Sequence, residues 1–186
     1  MKIGIISDTH GFFDPRLKRV FTDVQAILHA GDVGTREVLE ELREIAPVHV
    51  VRGNVDPAAL NLPPSLTLVF GRMQVELVHM LPIAQSELEA WSGAIPNQRP
   101  PQRRERFLQT FNPSTRVVVF GHSHKPCLAT LGDALFFNPG SAGKKRFSLP
   151  RCCGLLEIGE GRICASIRGL ESYNRSLPKE FRWTQE

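Results

Sequence analysis

Four short motifs and one isolated histidine hold most of the side chains able to do chemistry. They are Asp8-Thr9-His10, Gly31-Asp32, Gly53-Asn54-Val55-Asp56, His79 and Gly121-His122-Ser123-His124. Together they offer Asp8, His10, Asp32, Asn54, His79, His122 and His124, including four of the six histidines. Imidazole nitrogens mixed with carboxylate oxygens suit Mn, Fe, Co, Ni or Zn rather than Mg or Ca alone. Seven such donors exceed what one tetrahedral ion can use, and a carboxylate can bridge, so the set suits two ions. Two carboxylates against two divalent cations leave a net positive pocket, which favours a phosphate.

These residues need a scaffold that brings them together, and the apolar pattern supplies one. Lys2–Ser7 reads as a buried strand, Pro15–Val24 as a helix, Ala26–Ala30 as a strand, Thr35–Ile45 as a helix and Val48–Val51 as a strand. Alternating strands and helices predict parallel strands joined by right-handed crossovers. The pattern then changes. SLTLVF and MQVELVHM meet across Gly71 and Arg72 as an antiparallel hairpin. An irregular stretch over 81–101 follows, read as a loop bordering the active-site edge. A short helix over Gln102–Phe111 precedes the strand Val117–Gly121, and CLATL, ALFFN, GLLEI and RICASIRG read as further short strands. Two sheets packed face to face with helices outside accommodate this order. Each motif stands just past the C-terminal end of a strand, where open α/β sheets place their ligands.

Composition narrows the function classes. A chain of 186 residues with 41% hydrophobic and 23% charged residues is an ordinary globular sequence, expected to form a single domain over 1–186. No apolar run reaches the ~18 residues of a membrane span, and the first residues are too short for a signal-peptide core. A cytoplasmic location is the expectation. Cys127, Cys152, Cys153 and Cys164 fall in no CxxC spacing and read as packed thiols. The net charge of +4 is compatible with anionic ligands. Its short clusters, Arg103-Arg104-Arg106 and Lys144-Lys145-Arg146, lack interleaved aromatics and read as solvated faces, not as a nucleic-acid module.

In this order, DTH, GD, GNVD, a histidine after a hairpin strand and GHSH resemble the calcineurin-like metallophosphoesterase superfamily. More narrowly they resemble its small microbial phosphodiesterases, a branch that also includes the eukaryotic retromer scaffold subunit. The resemblance runs from Lys2 to about Ser141, where the Asn138-Pro139-Gly140-Ser141 turn adds to it. It implies an α/β fold, a four-layer αββα sandwich of two mixed sheets flanked by helices. It implies a first metal held by Asp8, His10 and His124, a second by Asn54, His79 and His122, and Asp32 bridging them. It further implies a phosphodiesterase using two divalent ions, Mn2+ first among them, and a bridging hydroxide for in-line attack on the phosphorus of a small phosphodiester. A protein-binding scaffold on the same fold and a nuclease are the alternative readings. Many family members carry His after the Asn of GN and Gly after the isolated histidine; this chain has Val55 and Met80.

The residues around the motifs have simpler expected roles. His29 and His49 lie inside strands and read as structural, with His29 close enough to Gly31 to support a ligand. Asp56 is read as a cap for the segment at Pro57, with an orienting role in the active site as the alternative. Arg52 and Lys125 flank ligands and read as ordinary exposed cations, with contact to a phosphate as the alternative. Trp91 covers either core or substrate. Ser123 has no free base beside it and is not expected to be a nucleophile.

Overall fold

The computed structural model describes residues 1–92, 102–145 and 148–171, together with the backbone of 181–184. The first sheet grows from β1 (Lys2–Ile6), β2 (Ala26–His29) and β3 (Val48–Val50), linked by helices α1 (Arg16–Val20) and α2 (Arg36–Arg43). All three strands are parallel, as the alternation of strands and helices predicts. Their registers align Ile6 with His29 and His29 with Val50, so the chain leaves the sheet at one level three times. On the other side of β1 the sheet continues antiparallel through β9 (Cys152–Gly159), β10 (Arg162–Gly169) and β11 (Phe181–Thr184).

The second sheet repeats that device. Its order is β4-β5-β6-β8-β7, with β4 (Ser65–Phe70) and β5 (Met73–Val78) forming the expected hairpin. Strand β5 runs parallel to β6 (Thr115–Val119), and β6 parallel to β8 (Ala134–Asn138); β7 (Cys127–Leu131) closes the edge. Leu77, Val119 and Phe137 stand level with one another, so His79, Gly121 and Pro139 emerge together.

Alternation along the strands sorts the side chains into layers. Ile3, Ile5, Val75, Leu77, Val117, Val119 and Phe137 fill the space between the sheets. Ile6, Ile27 and Leu155 face Leu17, Phe21, Val38 and Leu42 of the first helix layer. Val118, Phe120 and Phe136 face Leu88 and Phe107 from helices α3 (Gln85–Ser92) and α4 (Gln102–Leu108) on the far side. The result is the αββα order, with all four cysteines free and three of them buried.

Three elements differ from the sequence reading. Helix α1 is a five-residue element, and the following turn runs straight into β2. The stretch from Leu81 is partly helical, because Leu88 and Trp91 of α3 dock on Phe107 and the second sheet. Such a short helix owes its stability to packing, and two apolar residues give a weak periodic signal. Trp91 is therefore a core-covering residue. The remainder of that stretch, 93–101, lies outside the described residues, as does Arg146 of the second basic cluster. Strand β11 had no counterpart in the reading, since it exists by pairing with β10.

Candidate metal centre

The aligned strand ends bring all seven expected ligand residues to one edge of the sandwich. The backbone there is unusual. Asp8, His10, Asp32, His122 and His124 all have positive φ, between 48° and 69°, and Asn61 is the one other such non-glycine among the described residues. A side chain in this left-handed region costs about 1–3 kcal/mol, so the surroundings must impose it. They do so through backbone hydrogen bonds between motifs. The Asp8 amide donates to Gly31 O at 3.0 Å, His10 to Asp32 O at 2.9 Å and Gly11 to Val33 O at 2.7 Å. Asp8 O accepts from Ser141 Oγ at 2.9 Å and from the Gly143 amide at 3.2 Å. Close approach is made possible by two glycines. A Cβ on Gly53 would overlap Asp32 Oδ1 and the Asp32 nitrogen, and one on Gly121 would overlap Ser7 Oγ.

Two groups of donors result. In the first, His10 Nε2 and His124 Nε2 lie 3.3 Å apart, and His124 Nε2 lies 3.3 Å from Asp8 Oδ1. In the second, Asn54 Oδ1 stands 2.9 Å from His79 Nε2 and 3.0 Å from His122 Nδ1. Asp32 Oδ2 sits between the groups, 3.4 Å from His79 Nε2 and 3.9 Å from His10 Nε2. Ligand atoms about 2.0–2.1 Å from one ion stand about 3 Å apart at octahedral angles and about 3.4 Å apart at tetrahedral ones. The separations of 2.9 to 3.4 Å fall in this range, and the 3.9 Å from Asp32 to His10 is wider.

Asp8 Oδ1 is buried without a hydrogen bond. His79 gives its Nδ1 proton to Ala30 O at 2.7 Å, which turns Nε2 toward two oxygen acceptors, Asn54 Oδ1 and Asp32 Oδ2. Burial disfavours the imidazolium of His79, yet the Asp32 carboxylate and the Ala30 carbonyl, with Asp8 nearby, outweigh it and raise its pKa. Burial also opposes ionisation of Asp32, and the contacts from His79 and the Val55 amide override it and lower its pKa. Acceptors facing acceptors, with a drive toward positive charge between the carboxylates, are what divalent cations satisfy.

Supporting residues extend beyond the motifs' ligands. The carboxylate of Asp56 accepts from the Gly34 amide through Oδ1 and from the Gly53 amide through Oδ2, both at 2.8 Å. It thus joins the Asp32 and Asn54 loops instead of capping the turn at Pro57. Arg151, buried against Asp14 at 2.5 Å, donates to Gly143 O at 2.6 Å and braces the turn under Asp8. Neither long-range tie has a local sequence signal. Met80 is exposed, and His79 beside it remains buried with its bonds intact.

His29 supports the first motif. The Thr9 hydroxyl donates to Val33 O at 3.0 Å, so His29 Nε2–H donates to Thr9 Oγ1 at 2.9 Å, leaving the buried Nδ1 unpaired. Burial pushes the His29 pKa down to about 4 from 6.5. The unfolded chain therefore binds a proton that the folded chain refuses, and stability rises with pH across that window. We expect the ion-free protein to lose up to roughly 3 kcal/mol through this residue as pH falls from 6.5 to 4. Urea unfolding in EDTA measures it: His29→Gln should flatten the pH slope, and an unchanged slope would refute the assignment.

Comparison with known proteins places the chain in a family. Residues 1–161 match the calcineurin-like phosphoesterase superfamily domain. A Methanothermobacter thermautotrophicus protein named "Probable metallophosphoesterase" is 32% identical over 185 residues, covering 95% of this chain and 98% of its own length. Among solved structures, Chaetomium thermophilum Vps29 superposes with a TM-score of 0.74 at 18% identity, over the full length of both chains. The phosphoesterase YfcE from E. coli gives 0.64 at 24% identity, covering 97% of this chain and 98% of its own. With the family domain matched over most of its length and a relative aligned almost end to end, this chain belongs to the calcineurin-like phosphoesterase superfamily.

Proposed function

We propose that the chain is a dinuclear-metal phosphodiesterase. Asp8, His10 and His124 would hold one ion, Asn54, His79 and His122 the other, with Asp32 shared, and Mn2+ is the ion we assign first. Two such ions supply a water made acidic enough to act near neutral pH and positive charge for the phosphate oxygens. The chain's own residues do the rest. His79 is fixed in one tautomer by Ala30 O, and Asp32 is held by the Val55 amide at 3.0 Å, so the donors are preorganised before substrate arrives. Asp56 locks the loops that carry Asp32 and Asn54. Ser123 is engaged in hydrogen bonds with Gln85 and Asn138.

The observation that carries this reading is the convergence of all seven donors, with Asp32 Oδ2 placed between the two groups. The Vps29 likeness favours a second reading, a protein-binding scaffold on the same fold. Turnover separates them. Protein loaded with Mn2+ should hydrolyse bis-p-nitrophenyl phosphate faster than p-nitrophenyl phosphate, lose activity in EDTA and regain it with Mn2+. A panel of cyclic nucleotides and oligonucleotides places the substrate and tests the nuclease reading. Metal-loaded protein that hydrolyses no phosphoester would leave the scaffold.

A further inference from the structure

The loop bearing His122 and His124 is gripped from a helix that carries no ligand. Ser123, between the two histidines, donates its hydroxyl proton to Gln85 Oε1 at 2.6 Å. The same oxygen accepts from Asn138 Nδ2 at 3.1 Å. At the other end of the amide, Gln85 Nε2 donates to Lys125 O at 3.2 Å and to Glu89 Oε1 at 2.8 Å. One side chain therefore holds the residues on both sides of His124. Asn138, fully buried, completes the grip by donating to Gly121 O at 2.9 Å and to Ser123 Oγ at 3.0 Å.

We infer that Gln85 is a positioning residue for the metal centre, fixing the loop conformation that presents His122 and His124; this rests on reading those histidines as ligands. The loop needs such a restraint, because His122 and His124 both sit in left-handed backbone, with φ of 69° and 58°. The helix can provide it. Leu88 is fully buried, Trp91 packs on Phe107 with ring centroids 5.8 Å apart, and Ser92 Oγ accepts from the Thr130 amide at 3.1 Å. Gln85 is thus presented by an anchored element. The chain between His79 and Gln85 closes the circuit, linking a ligand of one strand to the clamp on the ligands of another. Because His122 and His124 belong to different donor groups, loosening this loop acts on both ions, whereas loss of a single ligand falls first on one.

The test is equilibrium binding of Mn2+, followed by the EPR signal of the free ion, on the full chain. Gln85→Met keeps the length of the side chain and removes its polar ends; Ser123→Ala removes one oxygen from the other partner. Each should weaken Mn2+ binding at both steps by about tenfold, the low end of the effect of groups that orient ligands. The double variant should weaken it by less than the product of the two factors, because both changes remove the Ser123–Gln85 bond. Thermal unfolding of the ion-free variants reports whether each is folded, and Ser123→Ala carries the test if Gln85→Met is not. Wild-type affinity in a folded variant, or a double variant showing the product of the two factors, overturns the inference. Weakened Mn2+ binding in the variants of a protein that hydrolyses no phosphodiester supports the positioning role while refuting the proposed reaction. Wild-type protein that binds no Mn2+ refutes both.

Discussion

Asp32→Asn should abolish hydrolysis and strip metal from both positions, not one. Its Oδ2 lies 3.4 Å from His79 Nε2 and 3.9 Å from His10 Nε2, within reach of both donor groups. An amide keeps the shape, tolerates the left-handed φ of 54° and can still accept from the Val55 amide through its oxygen. What it loses is the shared negative charge. Ion stabilisation of a phosphoryl transition state is worth several kcal/mol, so the rate should fall by about 10³-fold or more. Asp32→Ala should behave alike and be less stable as well, because Ala suits that backbone poorly. Metal content by emission spectrometry, read beside turnover, tests the bridge. A variant with near-normal activity and about two ions per chain would remove Asp32 from that role.

The second large effect concerns Val55. It follows Asn54, its amide donates to Asp32 Oδ1, and the residue is 58% exposed at the rim of the centre. An imidazole at this place could protonate a departing oxygen; an isopropyl group cannot. General acid catalysis is worth about 10²–10⁴-fold, most for an alkoxide of conjugate-acid pKa about 15 and least for a phenolate of about 7. The rate should therefore fall steeply as leaving-group pKa rises, with p-nitrophenyl diesters far ahead of alkyl diesters. Val55→His should recover part of the loss for alkyl esters alone. Diesters of graded leaving-group pKa at saturating Mn2+ give the slope. A flat dependence would show that another group donates the proton or that chemistry does not limit the rate.

The parallel strands, the hairpin, the outer helices α2 and α4, and the order of the ligand motifs follow from the sequence by itself. Each rests on local signals: apolar periodicity, turn residues at Gly71, and carboxylates or imidazoles standing where an apolar run stops. The seven donors were legible for the same reason, since a strand end is visible in the chain and ligands gather at strand ends. Tertiary structure decided what links residues far apart. Level registers at Ile6, His29 and Val50, and again at Leu77, Val119 and Phe137, turn separate strand ends into one edge. Left-handed backbone at Asp8, His10 and Asp32 has no sequence mark, because hydrogen bonds between motifs hold it in residues that would otherwise avoid it. The same holds for Asp56, which looks like a cap and instead joins two loops, and for Gln85, 38 positions from the serine it grips. Periodicity reports which face of an element is buried. It does not report which distant polar group will meet a side chain, and in this centre those meetings set the geometry.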